Sequence, residues 1–133
     1  MSDRELLVVV GAGGFAREVR WLLEEINATA PRYEFAGYVV SDLAKLSEHD
    51  SLAEVLGNLE WLRSEGKHIR AAAIGIGTPA ARLRVAEALL ESCPWLEWPA
   101  LVHPTVRLDH RTCEVARGVL LCAGTIATVN VRF

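Results

Sequence analysis

The 133-residue sequence predicts an α/β fold: a small parallel sheet flanked by helices, followed by the start of a β-helix. Three observations carry that expectation. Apolar, β-branched runs alternate with stretches of helical periodicity up to about residue 102. Two of those runs end in a glycine-containing turn that opens a helix. After His103-Pro104 the helical period gives way to a six-residue one.

The elements follow in order. Leu6-Leu7-Val8-Val9-Val10 is a continuous apolar run, the pattern of a strand buried on both faces of a parallel sheet. Phe15, Val19, Leu22, Leu23 and Ile26 recur at helical spacing and predict an amphipathic helix over residues 14–27. Pro31 closes the connection, and Phe35 to Val40 reads as a second strand. Ser41 to Asp50 is a polar connector. Ser51 and Glu54 form a capping box ahead of Leu52, Val55, Leu56, Leu59 and Leu62, which predicts a helix ended by Gly66. Ile69 to Ile76 is a third strand. Thr78-Pro79 pairs an N-cap residue with a proline at the first helical position and opens a helix running to about Ser92. Pro99 to Val102 is a short fourth strand. Strands alternating with helices build right-handed βαβ units, so residues 1–102 are expected to form a Rossmann-like domain.

Residues 103–133 have another texture. Val115, Leu121, Ala127 and Phe133 share one phase of a six-residue period, and Cys113, Val119, Thr125 and Val131 share a second. Gly118 and Gly124 also fall in register. That period is the mark of hexapeptide repeats wound into a β-helix. The alternative is a pair of ordinary strands near residues 119–125 and 127–133. Repeat architectures need several stacked units, and the pattern stops at Phe133, so a truncated or deliberately shortened chain is expected.

Composition narrows the function. The chain is 51% hydrophobic and 23% charged with a formal net charge of −3, which argues against disorder and against nucleic-acid binding. No apolar run reaches the ~18–20 residues of a membrane span, and the start lacks a signal-peptide core, so a cytoplasmic location is expected. Cys93, Cys113 and Cys122 are odd in number and lack CxxC spacing, which points to reduced thiols packed as small apolar residues and to no metal site.

The sharpest motif is Gly11-x-Gly13-x-x-Ala16, with Gly14 added, directly after a buried strand and opening a helix. Glycine at 11 suits a tight turn, glycine at 13 lets a phosphate approach the backbone, and small Ala16 lets helix and strand pack closely. The helix start offers free N–H groups and partial positive charge. Gly75-Ile76-Gly77-Thr78 is a second such turn at the same sheet edge. Asp42, just past the second strand, either reaches a ribose or base or is a solvated loop acid. Arg17 and Arg82 either face a phosphate or are solvated helix arginines, the second being the simpler reading. His103 in a His-Pro turn reads as structural, and Trp61, Trp95 and Trp98 read as packing residues. His49, His68 and His110 lack paired acids or ligand spacing and are given no role.

The string Val9-Val10-Gly11-Ala12-Gly13-Gly14-Phe15-Ala16-Arg17-Glu18-Val19 resembles the opening of the PglD/NeuD-like sugar acyltransferases. Gly75-x-Gly77, then His103-Pro104-Thr105-Val106, then hexads such as Val115 to Leu120, follow that family's order over essentially the whole chain. The resemblance implies a nucleotide-sugar-binding Rossmann-like domain and a left-handed β-helix that binds acetyl-CoA and forms a homotrimer. It implies that Gly11, Gly13, Gly14 and Phe15, with Asp42, Gly75 and Gly77 nearby, line a pocket for a UDP-amino sugar or CMP-sialic acid. The family often has paired acids where this chain has Val40 and Ser41. Its catalytic histidine lies in later coils, beyond Phe133, so no catalytic residue is expected within the chain and no acetyl-CoA is expected on it. The alternative reading is a small NAD(P)- or nucleotide-binding module without acyltransferase chemistry.

Overall fold

The computed structural model describes residues 3–46 and 52–133. β1 (Glu5–Val10) is the second-from-edge strand of a four-stranded parallel sheet with order β3-β2-β1-β4, where β2 is Tyr33–Val40, β3 is Val55–Asn58 and β4 is Ala71–Ile74. Leu7 to Val10 have no solvent exposure, as a strand covered on both faces requires. Leu7 and Val9 point into one core with α1 (Gly14–Asn27), through Ala16, Val19, Leu22 and Leu23. Val8 and Val10 point into a second core, which holds Leu62 of α2 (Leu59–Glu65) and Val85 and Leu89 of α3 (Pro79–Ser92). Each such fully buried aliphatic side chain stabilises the fold by about 1.5–3 kcal/mol relative to exposure. Alanine is a weak strand former, yet Ala71, Ala72 and Ala73 are all buried in β4. Their small side chains leave room for helices on both faces.

The helix predicted from the Ser51–Glu54 capping box is not formed. Ser51 lies outside the described residues, as do residues 47–50 of the connector. Leu52–Glu54 is a short 3-10 turn, Val55–Asn58 is strand β3, and only Leu59–Glu65 is α-helical. β3 pairs with β2 through Tyr38↔Val55, Val39↔Gly57 and Val40↔Asn58. Gly57 weakens a helix by about 1 kcal/mol, while the outer ladder of β2 gains hydrogen bonds from a strand there. Asn58 then caps α2, its Oδ1 accepting from Trp61 N–H at 2.9 Å. The third predicted strand is shorter than expected, Ala71–Ile74.

The expected fourth strand forms elsewhere. β5 (Leu101–Val102) pairs in parallel with β6 (Leu120–Leu121) in a separate two-stranded sheet, and Glu97 alone bridges to Ala71. Leu101 N–H donates to Val119 O, His103 N–H to Leu121 O and Arg107 N–H to Thr125 O, each joining residues 18 apart. Further parallel bridges join Arg107 to Ile126 and Glu114 to Arg132. Gly118, Gly124 and Asn130, six residues apart, have φ of 76°, 79° and 58°. Leu121 is buried and Val115, Ala127 and Phe133 are half-buried. None of them extends the four-stranded sheet. Cys93 is a buried core residue as expected, whereas Cys113 is only half-buried and Cys122, just past β6 and next to the buried Leu121, is exposed.

Candidate functional site

The strand order places a switch point between β1 and β4, the two strands from which the chain departs to opposite sides of the sheet. Open α/β sheets bind ligands at the carboxyl edge there. Both glycine turns lie at that edge, one after β1 and one after β4.

The structure divides these glycines into two kinds. Gly11, with φ of 117°, donates its N–H to Val39 O at 2.7 Å, and a Cβ on it would lie 2.7 Å from Gly75 O. Gly75 donates to Val10 O at 2.8 Å, and a Cβ there would lie 2.6 Å from the Cα of Ala16. Gly11, Gly75 and Ala16 are thus a three-way backbone contact that locks β1, α1 and β4 together. Gly13 and Gly77 are different. A Cβ on Gly13 would meet nothing within 4 Å, and one on Gly77 would meet only Phe15 Cβ at 3.9 Å. A Cβ on Gly14 would meet only the tip of Arg17 at 3.9 Å. The fold does not need glycine at these positions, and their bare backbone forms an open shelf.

Gly13 is the N-cap of α1 in extended conformation, and no side chain caps that terminus. A 14-residue helix therefore presents its first-turn N–H groups and positive dipole end at the shelf. Phe15 is half-buried between the shelf and the first core. Asp42 stands at the same edge, past β2, but its Oδ1 accepts from Ala44 N–H at 2.9 Å and opens the 3-10 turn Leu43–Lys45. Thr78 occupies the N-cap of α3 without a side-chain cap bond, and Pro79 follows it.

Neither arginine is simply solvated. Arg17 Nη1 donates to Ala12 O at 3.3 Å and braces the first turn. Arg82 is half-buried. Its Nη1 donates to Ile74 O at 2.6 Å and its Nη2 to Gly118 O at 3.4 Å, which ties the end of β4 to the hexad region. Burial pushes its pKa below the usual arginine range. The sequence offered no signal for this bond, which spans 36 residues.

His103 is buried. Its Nδ1 accepts from Thr105 N–H at 3.0 Å and lies 2.8 Å from Thr105 Oγ1, which in turn accepts from Gly124 N–H. With Nδ1 accepting, the neutral ring carries its proton on Nε2, 3.6 Å from Glu25 Oε1. Nδ1 is committed to the turn, whereas the buried Nε2 has no hydrogen-bond partner and faces Glu25 only at ion-pair distance. Trp61, Trp95 and Trp98 pack on the second core as expected. Among the described residues no helix is long and apolar enough to cross a membrane.

Comparison with known proteins agrees with this arrangement. The sequence profile of the PglD N-terminal domain matches residues 6–89, more than half of the chain. A mutant perosamine N-acetyltransferase from Caulobacter crescentus, solved with CoA and GDP-perosamine, superposes with a TM-score of 0.73 at 17% identity. The match covers 96% of this chain and 56% of that one. The acetyltransferase domain of PglB from Neisseria gonorrhoeae, solved with acetyl coenzyme A, superposes with a TM-score of 0.66 at 18% identity, covering 97% of this chain and 61% of that one. At such identities the likeness shows the fold. The chain spans less than two thirds of the length of these structures. No curated protein sequence matches it significantly.

Proposed function

The chain belongs to the PglD N-terminal domain family, and from that membership we propose that it is the nucleotide-sugar-binding portion of an acetyl-CoA-dependent sugar acyltransferase. One observation carries the reading. Gly13, Gly14 and Gly77 form a bare shelf in front of an uncapped helix start, and the fold itself gives no reason for their missing side chains. Phosphate oxygens on that shelf would accept from the α1 N–H groups, and the dipole would favour their charge. Gly11 and Gly75 hold the shelf in shape from behind, and Phe15 and Asp42 flank it.

The division into a binding domain over residues 1–102 and a left-handed β-helix from residue 103 belongs to the same proposal. Hydrogen bonds recurring at 18 residues support it, since three hexads make one coil. Left-handed backbone at Gly118, Gly124 and Asn130, every sixth residue, supports it too, as the corners of such a coil would repeat at that spacing. In the whole protein, acetyl-CoA would be the acyl donor and a UDP-amino sugar or CMP-sialic acid the acceptor. The perosamine enzyme solved with CoA and GDP-perosamine, a GDP-sugar, supports the broader class of nucleotide-sugar acceptors. The reaction needs a general base to take a proton from the attacking amine or hydroxyl. By the family resemblance that base would lie in later coils, in a cytoplasmic homotrimer.

Calorimetric titration with UDP, a UDP-amino sugar, CMP-sialic acid and NADH tests the binding step. Saturable binding of a sugar nucleotide, abolished by Gly13→Val, is expected. Binding of NADH in preference to every sugar nucleotide would overturn the assignment in favour of a dinucleotide module.

A further inference from the structure

A second concave site lies on the α3 side of the molecule, between α3 and the turn at Gly118. It encloses about 200 Å³. One wall is apolar, built from Ile74, Leu83, Ala86 and Leu90. Leu83 and Leu90, on the same helix, are 65% and 45% exposed and leave this wall open to solvent. The other wall carries Arg82, Arg117 and Trp98. None of these residues belongs to the glycine shelf.

The polar side chains of this cavity are all donors. Arg82 spends two of its five N–H groups on the carbonyls of Ile74 and Gly118. Among the described residues no carboxylate pairs with Arg82 or Arg117. The indole N–H of Trp98 is buried and has no hydrogen-bond partner. A buried donor without an acceptor is rare, because its lost hydration is not replaced. Two guanidinium groups with no carboxylate partner among the described residues, and an orphaned indole N–H, beside an exposed apolar wall share one complement: a molecule with an anionic head and an apolar body.

We propose that this cavity binds a small organic anion, its charged head between Arg82, Arg117 and the Trp98 indole, its apolar body against Leu83 and Leu90. The guanidinium fork of Arg82 suits a carboxylate or a phosphate monoester, and both satisfy the same donors. Burial disfavours the charged form of Arg82, and an anion beside it would favour that form by Coulomb attraction.

The test is titration of the chain with benzoate, phenyl phosphate, inorganic phosphate and benzyl alcohol, followed by the indole Nε1–H resonances of its four tryptophans. Trp98→Phe identifies the Trp98 signal. Benzoate or phenyl phosphate is expected to saturate and to shift that signal more than the other three. Arg117→Ala, an exposed position, is expected to weaken binding about tenfold without changing the unfolding midpoint. The tighter of the two probes then identifies the head group. Binding of inorganic phosphate or benzyl alcohol as tight as that of the organic anions would overturn the proposal. So would an unmoved Trp98 signal, or an unchanged affinity in Arg117→Ala. Arg117→Ala is expected to leave sugar-nucleotide binding at the glycine shelf intact, so the two sites succeed or fail separately.

Discussion

Gly75 and Gly77 stand two residues apart in one turn and do opposite things. The Cβ of Gly75→Ala would enter the backbone of α1 at Ala16, and the expected cost is about 1–3 kcal/mol or more of stability. The Cβ of Gly77→Ala meets only an ordinary contact, so the expected change is within about 0.5 kcal/mol. Urea unfolding of the two variants checks the contrast, and equal effects would count against it. The sequence could place all five glycines at ligand-facing turns, but it could not divide them, since a glycine facing a neighbouring backbone and one facing open space read alike. The same holds for Asn130. It shares the phase of Gly118 and Gly124 and their left-handed backbone, yet an asparagine in a hexad does not announce itself as a corner. The sequence allows Asp42 two readings, and its bond to Ala44 is one that any loop acid can make.

At the scale of elements, the strong periodic segments were legible. α1 and α3 run Gly14–Asn27 and Pro79–Ser92, the spans their leucine and valine spacing predicts. The segment from Leu52 to Gly66 was not, because helical spacing of Leu52, Val55, Leu56, Leu59 and Leu62 is indifferent to whether β2 has a neighbour. Pairing with β2 decided it, and Asn58 marks where strand yields to helix. Asn58→Ala removes the acceptor of Trp61 N–H and is expected to cost about 1 kcal/mol. Thermal unfolding followed by circular dichroism checks this, and an unchanged midpoint would show that the cap contributes nothing. Gly57 adds a constraint on the same junction, for a Cβ there would strike the Trp61 side chain at 2.5 Å.

For the whole molecule, the sequence separated the Rossmann-like and hexad textures but said nothing about what joins them. Arg82 is one such joint, since its guanidinium bonds a carbonyl at the end of β4 and another at the Gly118 turn. Trp98 O, which accepts from Gly118 N–H, is a second. Arg82→Met keeps the apolar stem but leaves both carbonyls without that donor, for an expected loss of about 1.5–3 kcal/mol. A urea midpoint unchanged from the parent would show that the two parts are held by packing alone. Left-handed backbone at Gly118, Gly124 and Asn130, taken as the corners of the proposed β-helix, has a different consequence, for insertions and deletions. A residue inserted between two corners reverses the inward and outward alternation of everything up to the next corner and puts polar groups where Leu121 now sits. The same residue inserted at a corner bulges into solvent and leaves every flat segment in register. The length of this region is therefore quantised: loops can grow from its corners, while each segment between them is held at a fixed count.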